Sequence, residues 1–350
     1  MKTPRFGIFK EHIMNAVTIN DSIPATATDV LPLQPASADI WDKKYRLKEM
    51  YGAIVDKDVE ATLIRVAARL ARVEADQVRA RGGDEVEARN RMHDWFPQFH
   101  WALRFGAVPA GRILSNAGAE THKPKTSTIN CTVSGTIGDS MQDILQKVME
   151  AGLTLKAGCG VGYELSTLRP KGASVSGAGS STSGPLSFME IFDRTCATVA
   201  SAGGRRGAQM GTFDVGHPDV LEFVRAKRED GRFRQFNLSL LITRDFLDAV
   251  EADTDWPLAF PVLACERDKV DLNDSTAVVW REWADHDAGY VIREDGLVAC
   301  RVYKRIKAKA LWNIIMTSTY DFAEPGFILI DEVNRLNNNW FCEYIRATNP

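Results

Sequence analysis

Lys156 to Phe188 reads KAGCGVGYELSTLRPKGASVSGAGSSTSGPLSF, and the patterns on either side of it decide the fold. Before it, Met141, Ile144, Leu145, Val148, Met149 and Gly152 recur at helical spacing, with Asp139 and Gln142 placed as a capping box. After it, Phe188, Ile191, Phe192, Cys196 and Val199 repeat that spacing behind a Gly184-Pro185 start signal. Between the two helices, Val161 to Leu165 reads as a strand, and Lys171 to Ser183 is almost wholly Gly, Ser, Ala and Thr. Such a run is most often a flexible surface connection. A second glycine-rich stretch, SAGGRRGAQMG from Ser201 to Gly211, carries two adjacent arginines. Two loops rich in unobstructed backbone N–H groups, each following a helix in one unit, point to a nucleotide site.

Outward from this stretch the chain alternates strand and helix. Strands are expected at Ile129 to Val133, Ala208 to Val215, Gln235 to Thr243 and Phe327 to Asp331, besides Val161 to Leu165. Helices are expected from His217 to about Arg228, Arg244 to Val250 and Lys307 to Phe322. Asp255 to Arg305 interrupts the rhythm with tryptophans, prolines and short alternating runs, the pattern of hairpins. Five strands alternating with helices imply parallel pairing. Periodicity permits a doubly wound sheet or part of a barrel, and in either case loops at the strand C-terminal ends are expected to carry the site.

Upstream, residues 1–40 form a loosely ordered lead-in, in which Met1 or Met14 is the start. Residues 41–115 form a helical domain. Val59, Leu63, Val66, Leu70 and Val73 mark one face of a long helix, and Val86 to Phe105 forms another that Pro97 is expected to kink or split. The chain of 350 residues carries a net charge of -3, so it has no polybasic signature and nucleic acid is not an expected direct partner. No apolar run reaches membrane-spanning length, and a cytoplasmic location is expected. The cysteines at 131, 159, 196, 265, 300 and 342 make no CxxC pair and no zinc spacing. His93 and His100 lie in an aromatic-rich helical stretch with no accompanying cluster of carboxylates and histidines, so no metal site is expected.

No GxxxxGK[ST] occurs, and Gly158, Gly160 and Gly162 do not make the dinucleotide fingerprint. The segments STINCTVSGTIGDSM, KAGCGVGYELSTLRPKGA, SGPLSFMEIFDRTCATVASAGGRRGAQMG, HPDVLEFVRAKR, FNLSLLIT and AEPGFILIDEVNRLNNNWFCEYIRATNP follow in this order. As a set they resemble ribonucleotide reductase catalytic subunits, most of all the adenosylcobalamin-dependent (class II) branch, across residues 41–350. The resemblance implies a helical N-terminal domain followed, at 116–350, by the first five-stranded half of a ten-stranded α/β barrel, with a hairpin insertion at about 255–305. It implies an enzyme reducing ribonucleotides to deoxyribonucleotides by thiyl-radical, dithiol chemistry. Its partners would be a ribonucleotide substrate, a deoxynucleotide or ATP effector, thioredoxin or a similar reductant, and a second copy in a homodimer.

By position in the matching segments, Cys131 is implied to be one thiol of the redox pair, and Asn349 to hydrogen-bond the ribose. Ser115, Asn130, Cys131, Gly160 and Asn349 are implied substrate contacts. Asp139, Ser140, Arg169 and Lys171 are implied to hold the effector. Gly203, Gly204, Arg205, Arg206, Gly207 and Gln209 are implied to form the loop relaying effector identity to substrate choice, with Arg206 and Gln209 reading the base. The radical cysteine, its glutamate, the second redox cysteine and the second half-barrel are expected after Pro350, so the chain is not expected to turn over alone. Two readings of that junction stay open, an arbitrary truncation and an intein insertion site at which splicing would join Pro350 to a cysteine. The lead-in is too short for an ATP-binding cone, which favours class II over a class I (diiron) large subunit. A non-catalytic nucleotide-binding or assembly fragment, complemented in trans, is the alternative from outside enzymes.

Overall fold

The computed structural model describes residues 33–49, 51–124, 126–175, 179–199, 207–228, 232–283 and 289–350 of the chain. The chain divides into two compact units, Met1–Pro109 and Ala110–Pro350. In the first, α1 (Pro35–Ile40) runs into a π-helical turn, Trp41–Tyr45. Asp58 caps α2 (Val59–Ala80) by accepting the Ala61 N–H at 2.8 Å, and Asp84 caps α3 (Glu85–Arg104) by accepting those of Val86 and Glu87. Ala75 and Val78 of α2 and Ala88 of α3 are buried together, and such small side chains bring two helices close. Pro97 does not split α3 as expected. It removes a single N–H from the ladder, and the Trp95–Phe99 and Phe96–His100 stacks run along the helix around it.

In the second unit α4 (Gly111–Asn116) precedes β1 (Cys131–Val133), α5 (Met141–Lys156) and β2 (Gly160–Glu164). Then follow the two-residue strands β3 (Ser174–Val175) and β4 (Ser180–Ser181), α6 (Pro185–Thr198), β5 (Gln209–Asp214), α7 (Val220–Arg225), β6 (Phe236–Ile242) and α8 (Arg244–Glu251). The chain continues through β7 (Asp255–Pro261), β8 (Val278–Arg281), β9 (Val298–Lys307), α9 (Ala308–Phe322), β10 (Gly326–Leu329) and α10 (Ile330–Arg335).

The main sheet has the order β1-β2-β5-β6-β10, and every pairing in it is parallel. This order never reverses. A doubly wound sheet reverses at a switch point, so that alternative falls away. With right-handed crossovers throughout, a monotonic order puts all the helices on one face. The core lies there: Val161, Tyr163 and Leu165 of β2 and its end, Phe213 of β5 and Leu238, Leu240 and Ile242 of β6 pack with Ile144, Phe192, Phe223 and Ile315 of the helices. Each Phe or Leu so buried contributes about 1.5–3 kcal/mol. The stretch expected as hairpins is a separate antiparallel sheet, order β7-β9-β8. The glycine- and serine-rich loop is pinned where described, by the β3–β4 pairing and by the Lys171 N–H donating to Asp219 at 2.8 Å.

The capping box of α5 is one residue from its expected place. Ser140 is the N-cap, accepting the Asp143 N–H at 3.2 Å, and the Asp143 carboxylate reaches back to the Gly138 N–H. Asp139 is thereby free of the cap, and its carboxylate turns to Arg169 instead.

Behind the sheet, His217 is fully enclosed. Its Nε2–H donates to the Leu168 carbonyl at 3.0 Å and its Nδ1 accepts the Asp219 N–H at 3.0 Å. Burial pushes its pKa down to about 3, against the small upward pull of the Leu168 carbonyl. Between pH 6.5 and 3 the unfolded chain therefore binds one proton more at this position than the folded one. Stability is expected to fall as pH drops through that window, by up to about 1.4 kcal/mol per unit from this group. Urea midpoints against pH check this: His217→Asn should flatten the slope, and an unchanged slope would refute the assignment.

Candidate active site

The strand β2 reads GVGYE, and its alternation divides it between two environments. Val161 and Tyr163 enter the helix-packed core. Gly160, Gly162 and Glu164 face the other side, where residues 346–350 run across the sheet. A Cβ at Gly162 would lie 1.7 Å from the Thr348 carbonyl oxygen, and one at Gly160 would lie 2.7 Å from the Pro350 ring and 3.3 Å from Cys131 Sγ. The two glycines are thus a groove into which a distant backbone is laid. Thr212 of β5 donates its hydroxyl to the Arg346 carbonyl at 3.1 Å, and Arg346 pairs with Glu164 at 3.0 Å.

Cys131 opens β1 beside this groove. Its half-buried thiol lies 3.3 Å from Asn130 Nδ2 and 3.7 Å from the Pro350 carbonyl oxygen. Asn349 is exposed on the crossing segment, its Cα 3.4 Å from where a Gly162 Cβ would stand, and its side chain has no hydrogen bond among the described residues. Asn130, Cys131, Gly160 and Asn349 are therefore brought together from three separate places in the chain. Ser115 sits on α4, its hydroxyl 3.5 Å from the Arg112 carbonyl. The buried Arg112 ties that helix to the turn before β2 by donating Nη2 to the Gly158 carbonyl at 2.7 Å.

The thiol cluster does not lie at the strand C-terminal ends, as expected. Cys131 and Gly160 are the first residues of β1 and β2. The loops after the C-terminal ends of those strands carry the expected effector residues instead. Arg169 donates its backbone N–H to Asp139 Oδ1 at 3.1 Å and Nε to Oδ2 at 2.7 Å. Burial raises the Asp139 pKa against the opposing pull of Arg169. The pair forms one wall of a cavity of about 140 Å³ whose other wall includes Phe260, Pro261, Arg301 and Tyr303. Ser140 is exposed as the α5 cap, and Lys171 is exposed, its charge acting on Asp219.

Of the expected relay loop, Gly203, Gly204, Arg205 and Arg206 lie outside the described residues. Gly207 packs where an added Cβ would come within 2.5 Å of Cys196 Sγ. Gln209, expected to read a base, is fully buried on the helix side of β5. Its Oε1 accepts the Tyr163 hydroxyl at 3.0 Å and its Nε2 donates to the Phe192 carbonyl at 3.1 Å. Both ends of the amide are spent on the core, so in this arrangement Gln209 braces the strand that leads out of the loop. Sequence reasoning passed over Arg112, Gly162, Glu164, Thr212 and Arg346. Only β2 carried a signal, the small-and-charged alternation opposite Val161 and Tyr163. Among the described residues no three His, Cys, Asp or Glu side chains are grouped to hold a metal, and no helix is long and apolar enough to cross a membrane.

A singly wound parallel α/β sheet, with a free thiol and a glycine groove on its open face, is the arrangement of a barrel-type α/β domain. The chain belongs to the ribonucleotide reductase family, whose barrel-domain model matches residues 129–350. It is 33% identical over 245 residues to the vitamin B12-dependent ribonucleoside-diphosphate reductase of Thermoplasma acidophilum, covering 69% of this chain and 26% of that protein. To the protein of the same description from Mycobacterium tuberculosis it is 29% identical over 323 residues, 92% of this chain and 39% of that one. A ribonucleoside-diphosphate reductase subunit alpha from Synechocystis is 28% identical over 260 residues, 72% and 33% of the two chains. The chain thus spans between 26% and 39% of the length of these relatives.

Proposed function

We propose that the enzyme containing this chain reduces ribonucleotides to deoxyribonucleotides, with Cys131 as one thiol of a reducing pair. The observation that carries this reading is the Cys131 thiol set against a side-chain-free groove, with Asn130 and Asn349 beside it. Replacing the ribose 2′-hydroxyl by hydrogen consumes two electrons and releases water. Two thiols supply those electrons and close to a disulfide, which a dithiol protein such as thioredoxin then reopens. All six cysteines here are free, as the reduced form of such a pair requires, and none of them is assigned as the partner of Cys131. Gly160 has no side chain between the Cys131 thiol and the segment laid over it, Asn349 offers an uncommitted amide to a ribose hydroxyl, and Ser115 lies on the helix that Arg112 ties to Gly158.

The vitamin B12-dependent names of the first relatives favour adenosylcobalamin over a diiron partner subunit as the radical source. When bound, that cofactor would supply the radical. A cleft of about 600 Å³ on the same face is lined in part by Val133, Glu164, Trp283 and Arg346. Among the described residues no group of three His, Cys, Asp or Glu side chains stands ready to hold the cofactor's metal.

Asp139, Ser140, Arg169 and Lys171 are proposed as the effector contacts, with Lys171 an exposed cation for a phosphate. Homodimerisation is proposed through the adjoining helix face, where Met141, Leu145, Met149 and Leu153 of α5 and Ile191 of α6 are exposed. In the complete enzyme, ribonucleoside di- and triphosphates should yield deoxyribonucleotides with dithiol and adenosylcobalamin. Asp139→Ala should blur effector-dependent substrate choice, weakening effector binding about tenfold or more, and by reciprocity remove the substrate's effect on effector affinity. No reduction of any ribonucleotide would sink the reading. Unchanged selectivity in Asp139→Ala would sink only the effector assignment.

A further inference from the structure

The inner face carries a buried ion pair that the chemistry above leaves without a role. Arg346 donates Nε to Glu164 Oε2 at 3.0 Å and Nη2 to Oε1 at 3.3 Å. The Glu164 side chain is 4% exposed. Its Oε1 also accepts the Ser166 hydroxyl at 2.7 Å, and Ser166 Oγ accepts the Asp214 N–H at 2.9 Å. Glu164 is thus built into the seam between β2 and β5, and Arg346 is the guest from far along the chain. Burial disfavours the Arg346 charge, but Glu164 and Asp214 more than offset it and raise its pKa.

We propose that Glu164 and Arg346 are a positioning pair that sets the register of residues 346–350 along β2, and so places Asn349 and Pro350 against Gly160 and Cys131. Ahead of the pair, β2 presents only Gly160 and Gly162 on this face, and neither has a side chain to stop the segment from sliding. The Thr212 hydroxyl lies 3.1 Å from both the Tyr163 and the Arg346 carbonyls and shares one proton between them, and the two hydrogen bonds between the Asn334 amide and the Ile345 backbone tie the segment to α10 and not to β2. A two-pronged guanidinium–carboxylate contact is directional where a single hydrogen bond is not, so the fork fixes which residue of the segment sits at the end of β2. Two residues on, the Thr348 carbonyl rests on Gly162, and two further on Pro350 reaches Gly160 and the Cys131 thiol. Desolvating both charges offsets most of their attraction, so the pair supplies position more than stability. This inference rests on the proposal that Cys131 and Asn349 serve one substrate.

The test uses Arg346→Gln, the double variant Glu164→Gln/Arg346→Gln, and the exchange Glu164→Arg/Arg346→Glu. In the 350-residue chain, the rate of Cys131 alkylation by a maleimide is read by peptide mass spectrometry, with the exposed Cys342 as internal reference. Both Gln variants should speed Cys131 alkylation about tenfold as Pro350 leaves the thiol, and the exchange should return part of the protection. In the complete enzyme the same variants should lower kcat about tenfold or more with KM little changed, because geometry is lost and binding is not. Arg346 lies outside the helix-packed core, so Arg346→Gln should leave the sheet folded. If the variants containing Glu164→Gln fail to fold, Thr212→Val, which removes the other tether of Arg346, serves as the second probe and should speed alkylation in the same direction. Unchanged Cys131 alkylation and unchanged kcat in folded Arg346→Gln would overturn the inference. Full activity in Cys131→Ser would overturn the underlying reading instead.

Discussion

Cys131→Ser is expected to abolish steady-state ribonucleotide reduction in the complete enzyme, a loss of about three orders of magnitude or more in kcat. Serine keeps the size and the approximate polarity of the side chain. It cannot lose an electron pair to a disulfide, so the two-electron reduction of the ribose has no donor at this position. Nucleotide affinity should stay within about twofold, because the groove of Gly160 and Gly162 and the Asn349 amide are unchanged. Deoxyribonucleotide formation with a dithiol reductant, alongside equilibrium nucleotide binding, reads both arms. Normal turnover by the serine variant would end the assignment. Cys196 is the contrasting case: it is buried on α6, and burial pushes its thiol up to about 11. Cys196→Ala should cost about 1 kcal/mol of stability and leave the chemistry alone.

Gly162→Ala carries the second large effect. The added methyl would stand 1.7 Å from the Thr348 carbonyl oxygen, a separation no pair of non-bonded atoms tolerates. β2 cannot retreat, because Gly162 is paired with Val133 on one side and Met210 on the other. The crossing segment has to lift instead, carrying Asn349 and Pro350 away from Cys131. A displacement of about 1 Å at reacting groups costs about a hundredfold in rate, and that is the loss expected in kcat. The sheet itself should stay within about 1–3 kcal/mol of the parent, since the helix-packed side of β2 is untouched. Unfolding curves and kcat measured together separate the two effects. A fully active Gly162→Ala enzyme would mean that residues 346–350 do not lie on β2 during turnover.

The repeating elements of the second unit were legible because their signals are local. Val161, Tyr163 and Leu165 alternate because one face of β2 meets helices, and Phe188, Phe192 and Cys196 recur because one side of α6 meets that sheet, while Ile191 turns outward. The α5 cap moved by one residue because Asp139 and Ser140 are both good caps. The choice was made by Arg169, thirty residues away, which takes Asp139 for itself. Pro97 read as a kink or a split, and α3 runs through it unsplit, tolerating one missing hydrogen bond. Gln209 looked available because glutamine in a glycine-rich loop is normally solvated. Its burial depends on Tyr163 and Phe192, which sequence distance conceals.

The sequence by itself determined the strand and helix content, the chain order of the five parallel strands, and the set of segments that mark the family. Periodicity is a property of neighbouring residues, and each strand or helix reports its own faces. The tertiary structure alone decided that the strand order never reverses, that the thiol lies at the strand N-terminal ends, and that residues 346–350 cross a glycine groove on the open face. Those are contacts between residues as far apart as Glu164 and Arg346, or Cys131 and Pro350. No local pattern encodes such a contact, because a glycine left bare for a passing backbone looks the same in sequence as a glycine left bare for a turn.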